Sequence, residues 1–308
     1  MAPATLSHPA APRAAPSPMR TQMRLPAAAA ADQVLCHFLR DTRACAAATT
    51  LRLPASFYGT LTLVHAGAIV DGRDGRPLPR LALRGLRGQP GELHFAAGTV
   101  ATTVVLKPGV ANRLVRPRAL AADQVADGRV VARLGALEAA LEFTAHDRAI
   151  AAIEGLLAQP GTSRADRFAT TLRTLLWRMP AMSMADLGAH FGCTARNLQR
   201  LFLRELGVAP KLFCRLVRVH GFFWHVHALS QDARPRWADL AGACGFADQA
   251  HLHRELKSLA GLTPLGFLRA LRQGPAAHWA LRVPADALAW CHRPATAGAG
   301  ANQAGTNM

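Results

Sequence analysis

Two short sets of side chains carry the chemistry of recognition. Arg196, Gln199, Arg200 and Arg204 recur at spacings of three and four; so do Gln249, His253, Arg254 and Lys257, with Ala250 beside Gln249. At 3.6 residues per turn, each set projects from one face of a helix. Gln and Arg can pair with base edges in a major groove, and Arg and Lys can neutralise phosphates. One such face is as readily a plain solvated helix surface. Two, each with a basic surplus, favour a surface that reads a polyanion.

The elements that must position these residues are themselves duplicated. Asp186, Gly192, Leu198, Arg200, Gly207 and Pro210 reappear as Asp239, Gly245, Leu252, Arg254, Gly261 and Pro264, at an offset of 53 residues that becomes 54 after the first glycine. A single surplus residue in the turn explains the change. Each copy predicts a helix, a tight turn at the glycine and a second helix, over 183–206 in the first and 237–260 in the second. Ser183 and Thr194 are the expected caps of the first pair. Leu198, Leu201, Phe202 and Leu206, and in the other copy Leu252, Leu256 and Leu259, form apolar stripes that should pack inward.

The runs at 245–269 (GFADQAHLHRELKSLAGLTPLGFLR) and 193–210 (CTARNLQRLFLRELGVAP) resemble the AraC/XylS family of bacterial transcription regulators. The resemblance covers both units and the segment joining them. It implies two helix-turn-helix units on a joining helix, here about 211–229, that present recognition helices to successive major-groove turns of double-stranded DNA. Carried over by position, the readers are Arg196, Gln199 and Arg200, then Gln249, Ala250, His253 and Arg254, with Arg204 and Lys257 on the same faces. Ala250 offers only an apolar contact, such as one to a thymine methyl. Gly221, Phe222 and Phe223 stand where the family commonly has alanine and small aliphatic residues.

The 308 residues suit two domains, and a formal charge of +17 fits a polyanionic partner. No apolar run approaches the eighteen or so residues of a membrane span, so a soluble cytoplasmic, nucleoid-associated protein is expected. The six cysteines form no CxxC pair, which suits a reduced compartment. His225 and His227, two apart, point about 200° apart on a helix and cannot chelate one ion; with His220 they read as residues facing solvent or polar edges. No metal site and no cofactor are expected.

Residues 1–31, rich in Ala and Pro, read as a disordered tail, and 274–308 as another. Residues 32–118 hold β-prone runs at 57–70, 81–86, 92–95 and 101–107 between Gly- and Pro-containing turns, the pattern of a small β-sandwich or barrel. This stretch is weakly similar to the amino-terminal domain of a subgroup of AraC-type regulators with undefined ligand. Arg84, Arg87 and His94 are either exposed strand residues, the commoner case, or the lining of a pocket for an anionic ligand. Helical patterns at 130–143, 147–157 and 164–179 make a connector, assigned to 119–160, that either braces the DNA-binding region at 161–273 or forms a dimer surface.

The fold class expected is thus α+β, a strand-rich sensor or assembly domain followed by an all-α DNA-binding domain. The implied function is sequence-specific transcription regulation, with RNA polymerase, a small-molecule effector and a second copy of the chain as further candidate partners. Two alternatives compete: an architectural DNA binder without effector, and an enzyme that uses the duplicated unit as an adaptor. Relatives that repair alkylated DNA carry a zinc-bound cysteine held by four clustered cysteines, which Cys36 and Cys45 alone cannot build. No Ser/His/Asp set, phosphate loop or spaced carboxylate pair is present.

Overall fold

The computed structural model describes residues 19–115, 120–127, 131, 134, 146–158, 168, 171–172, 182–229 and 233–273. Six strands form one antiparallel sheet in the order β1 (Arg20–Arg24), β2 (Val34–Asp41), β8 (Val100–Leu106), β4 (Gly59–Ala66), β6 (Leu81–Arg84) and β9 (Val125–Asp127). A second antiparallel sheet runs β3 (Thr49–Leu53), β7 (Gly91–Phe95), β5 (Ile69–Asp71). Each β-prone run of the sequence contains a strand, the run at 57–70 dividing into β4 and β5.

The expectation of disorder through residue 31 fails at Met19. Arg20–Arg24 pairs antiparallel with β2, Arg20 opposite Asp41 and Arg24 opposite His37, and Met19 is buried in a core with Leu51 and Phe95. Ala/Pro-rich composition describes an average over the window; a five-residue strand escapes it when β2 supplies backbone partners. β2 itself is buried at seven of its eight positions because both faces are covered. The pairing of β2 with β8 slips between Val34 and Cys36, and such a bulge turns the residues on either side toward opposite faces. Val34 thereby joins Leu61, Leu63, Val104 and Leu106 in one core, and Cys36 and Phe38 join another.

Helix α1 (Val110–Leu114) follows β8, and α2 (His146–Leu157) lies across the large sheet. Ala149, Ile153 and Leu157 of α2 are buried against that sheet, each Ile or Leu worth about 1.5–3 kcal/mol. His37, wholly buried on β2, donates from Nε2 to Glu154 Oε1 at 2.7 Å, and Arg24 of β1 pairs with Asp147. The apolar stripe of α2 is therefore spent within the chain, as part of the strand-rich half rather than as a dimer surface. The helices expected at 130–143 and 164–179, and the tail at 274–308, lie almost wholly outside the described residues.

The carboxyl-terminal half contains α3 (Met184–His190), α4 (Ala195–Leu206), α5 (Pro210–His227), α6 (Trp237–Ala243), α7 (Gln249–Ala260) and α8 (Pro264–Gln273). Leu198, Phe202 and Leu206 of α4, Phe213, Leu216 and Phe222 of α5, and Leu252 and Leu256 of α7 share one core. That core runs on without a break into Leu35, Phe38, Phe57, Tyr58 and Leu86 of the strand-rich half. No helix among the described residues is long and apolar enough to cross a membrane.

Candidate nucleic-acid interface

Each repeat is built by the residues that recur in it. Ser183 closes a capping box with Asp186, its Oγ accepting from the Asp186 amide at 3.2 Å. Thr194 Oγ1 accepts from the Asn197 amide at 3.3 Å, and Asp248 Oδ1 from the His251 amide at 2.6 Å, so α4 and α7 start at equivalent caps. The turn glycines Gly192 and Gly245 have φ of 60° and 77°, and the terminating glycines Gly207 and Gly261 have φ of 72° and 74°. A side chain disfavours that left-handed backbone by about 1–2 kcal/mol, which is why glycine recurs at these four places.

The apolar stripes face inward as expected, with Leu201 half-buried at their edge. The opposite faces are open. Arg196, Gln199, Arg200 and Arg204 are exposed on α4, and Gln249, Ala250, Arg254 and Lys257 are exposed on α7. Arg196, Gln199, Arg200, Gln249 and Arg254 make no hydrogen bond or ion pair among the described residues, so their polar ends are available to a partner. Arg204 is held locally, its Nε donating to Glu205 Oε1 at 2.6 Å, and Lys257 Nζ donates to the Gly261 carbonyl at 3.3 Å. Leu203, 45% exposed, adds an apolar patch beside Arg200 and occupies the place that Lys257 takes in the second copy. His253 departs from its counterpart Gln199: it is only half-exposed, and its Nε2 is buried without a partner among the described residues.

The joining helix α5 spans 18 residues, about 27 Å at 1.5 Å per residue. Phe223 stacks on Phe267 of α8 with ring centroids 4.5 Å apart and 13° between planes, while Phe222 meets Phe267 at 5.8 Å and Trp237 of α6 at 6.3 Å. These rings seat the second unit where smaller residues are common in the family that the sequence resembles. Arg215 then ties α5 to α7, its Nε donating to Glu255 Oε2 at 2.8 Å and Oε1 at 3.1 Å, and its Nη2 to Ser258 Oγ at 3.3 Å. Sequence reasoning missed this pair, which joins positions 40 apart with no local signal.

His220 is the second miss. Rather than facing solvent, it is wholly buried, with Nε2 donating to the Ala55 carbonyl at 3.2 Å and its ring edge-on to Phe57 and Tyr58. Burial pushes its pKa down to about 4, against a smaller upward pull from that carbonyl. The Ala55 amide in turn donates to the carbonyl of Leu259, near the end of α7, at 2.7 Å. His225 is exposed, with Nδ1 at 2.8 Å from the Gly221 carbonyl, and His227 is half-buried.

In the strand-rich half, Arg84 and Arg87 are not exposed strand residues. Both are 5% exposed and line an internal cavity, whereas His94 is half-buried and bonds Thr50 Oγ1 at 2.9 Å. Burial pushes the Cys244 thiol up to about 12 and the Cys214 thiol upward as well, so neither is a thiolate nucleophile near neutral pH.

Residues 187–270 match a family model described as a helix-turn-helix domain, a span that contains α4, α5 and α7. No curated protein sequence matches the chain. Among solved structures, a variant of apo ToxT from Vibrio cholerae is similar at 11% identity, covering 82% of this chain and 97% of that one, with a TM-score of 0.41. Unsaturated fatty acid bound wild-type ToxT from the same organism is similar at 12% identity, covering 76% of this chain and 94% of that one, also with a TM-score of 0.41.

Proposed function

We propose that the protein is a sequence-specific transcription regulator that binds double-stranded DNA through α4 and α7, one in each of two successive major-groove turns. The observation that carries this reading is the duplication of an exposed polar face, with unpaired Arg and Gln ends, on the second helix of two helix-turn-helix units. The joining helix separates the two units by a length close to the roughly 34 Å between successive major-groove faces. Arg196 and Gln199 then read bases in one turn, and Gln249 and Arg254 in the other, with Ala250 supplying an apolar contact. Arg200 reads or holds phosphate, and Arg204 and Lys257, already oriented by local hydrogen bonds, suit phosphate. His253, with Nε2 turned inward, reaches DNA only through the rest of its ring.

The strand-rich half modulates this binding rather than contacting the operator, because it shares a core with α5 and clamps the end of α7 through Ala55. Its partners in this reading are a small-molecule effector, RNA polymerase and a second copy of the chain. Cys244 and Cys214, whose thiols are both pushed upward by burial, offer no nucleophile for an enzymatic role.

Selection of preferred sites from a random DNA pool tests the reading. The intact protein should enrich two clusters of bases about ten base pairs apart. Arg196→Ala should blur one cluster and Gln249→Ala the other, each at a cost of about 1–3 kcal/mol. If both substitutions blur the same positions, the two-turn arrangement is wrong; if the intact protein enriches no sequence, the architectural alternative takes its place.

A further inference from the structure

Between the two sheets lies a cavity of about 100 Å³ whose walls divide by chemistry. Most of the lining is apolar, including Leu35 and Phe38 of β2, Leu51 of β3 and Tyr58. Arg40, Arg84 and Arg87 reach the same space, and among the described residues no Asp or Glu lines it. The three arginines are 4%, 5% and 5% exposed. Arg84 is paired outside the cavity, its Nη2 donating to Asp71 Oδ2 at 2.5 Å. Arg40 donates from Nη1 to Thr103 Oγ1 at 3.1 Å and lies over the Phe38 ring at 4.8 Å. The Arg87 side chain forms no hydrogen bond or ion pair among the described residues. Arg40 Nε, Arg84 Nη1 and Arg87 Nη1 are all buried without an acceptor among those residues.

Arg40 has no carboxylate against it, and Arg87 has Asp71 and Asp123 near it, opposed by Arg84 and Arg73 and none of them in hydrogen-bond contact with it; guanidinium groups buried in this way are costly to fold around. Burial lowers both Arg40 and Arg87 to about 10, which leaves them cationic at neutral pH. Gly91 makes room for one of them, since a Cβ there would come within 2.7 Å of Arg87 Nη1.

We propose that this cavity is the binding site of a small organic carboxylate, held by the forked donors of Arg87 and Arg40 and packing a compact apolar body against Leu35, Phe38 and Tyr58. The inference rests on the reading of the strand-rich half as a sensor and names what it senses. Guanidinium forks match a carboxylate two bonds at a time. Engineered cavities of about 150 Å³ hold benzene, so the smaller volume here selects a short aliphatic chain over a ring. The site is wired to the helical half. Pro54, Ser56 and Tyr58, which flank the Ala55 clamp on α7, line the cavity, and so does Trp224 of the joining helix.

Isothermal titration of the full chain with propanoate and butanoate, against propanamide and butanamide, tests this directly. The acids should bind and the isosteric amides should bind at least about tenfold more weakly, because each charge-assisted hydrogen bond is worth roughly that factor. Arg87→Met and Arg40→Met should each weaken acid binding at least about tenfold, and ligand-free Arg40→Met should melt no lower than the parent, since a buried charge that no carboxylate faces has been removed. Amides that bind as tightly as acids, acids that do not bind, or variants that bind acids undiminished would each overturn the proposal. The acid–amide comparison requires no variant to fold. The titration also contains no DNA: acid binding by a protein that binds no DNA would support the site and overturn the regulator reading, and DNA binding without acid binding would do the reverse.

Discussion

Acid should loosen the joint between the two halves at His220. Its imidazole is wholly buried, with rings of Phe57, Tyr58 and Phe223 at 4.7, 5.5 and 5.3 Å and the Ala55 carbonyl at 3.2 Å. Burial, the larger influence, holds its pKa at about 4 against 6.5 for an ordinary histidine. The folded state therefore binds this proton less readily than the unfolded state. Its contribution to stability is fully present above pH 6.5 and is lost as pH falls from 6.5 towards 4. At about 1.4 kcal/mol per pKa unit, the loss from this one group between pH 7 and pH 5 is about 2 kcal/mol. Urea denaturation of the parent and of His220→Leu at both pH values measures it, because leucine keeps an apolar side chain in the core but cannot titrate. The parent should lose about 2 kcal/mol more than the variant over this interval. Burial also lowers His37 and His146, and those two titrate alike in both proteins, so they cancel in the comparison. An equal loss in the two proteins would refute the argument that burial of His220 governs its titration.

The two terminating glycines offer a paired experiment: Gly261→Ala should cost about 1–2 kcal/mol from its left-handed backbone alone, whereas Gly207→Ala should cost distinctly more, because its Cβ would sit 1.9 Å from the Leu120 carbonyl oxygen. Thermal melts of both variants check the order. Arg215→Ala leaves Glu255, whose side chain is 13% exposed, without its main partner, and should lower stability by about 1–3 kcal/mol. In DNA-binding assays it should weaken the half of the site read by α7 more than the half read by α4. If six to ten phosphates are contacted, affinity should fall about a thousandfold or more between 50 and 200 mM salt, and Arg204→Ala should lower the salt slope by about one. A slope unchanged by that substitution would remove Arg204 from the phosphate contacts.

What the sequence determined by itself was local and periodic. The 53-to-54 offset marked both turns, the four glycines marked where the backbone must turn left-handed, and the 3.6-residue period separated Leu198, Phe202 and Leu206 from Arg196, Gln199 and Arg200 before any contact was known. Such signals suffice because a cap, a turn or an amphipathic face is set by residues within a few positions of one another. Only the tertiary structure decided what covers each face. The five-residue strand β1 exists because β2 stands beside it, and the α2 stripe closes the large sheet instead of a dimer. Arg215 meets Glu255 across 40 positions, and His220 meets Ala55 across 165. His220, Arg40 and Arg87 read as polar in any local pattern, yet all three are buried. Periodicity reports which side of an element is polar or apolar; whether a polar group ends in water or in the core depends on segments that reach it only when the chain has folded.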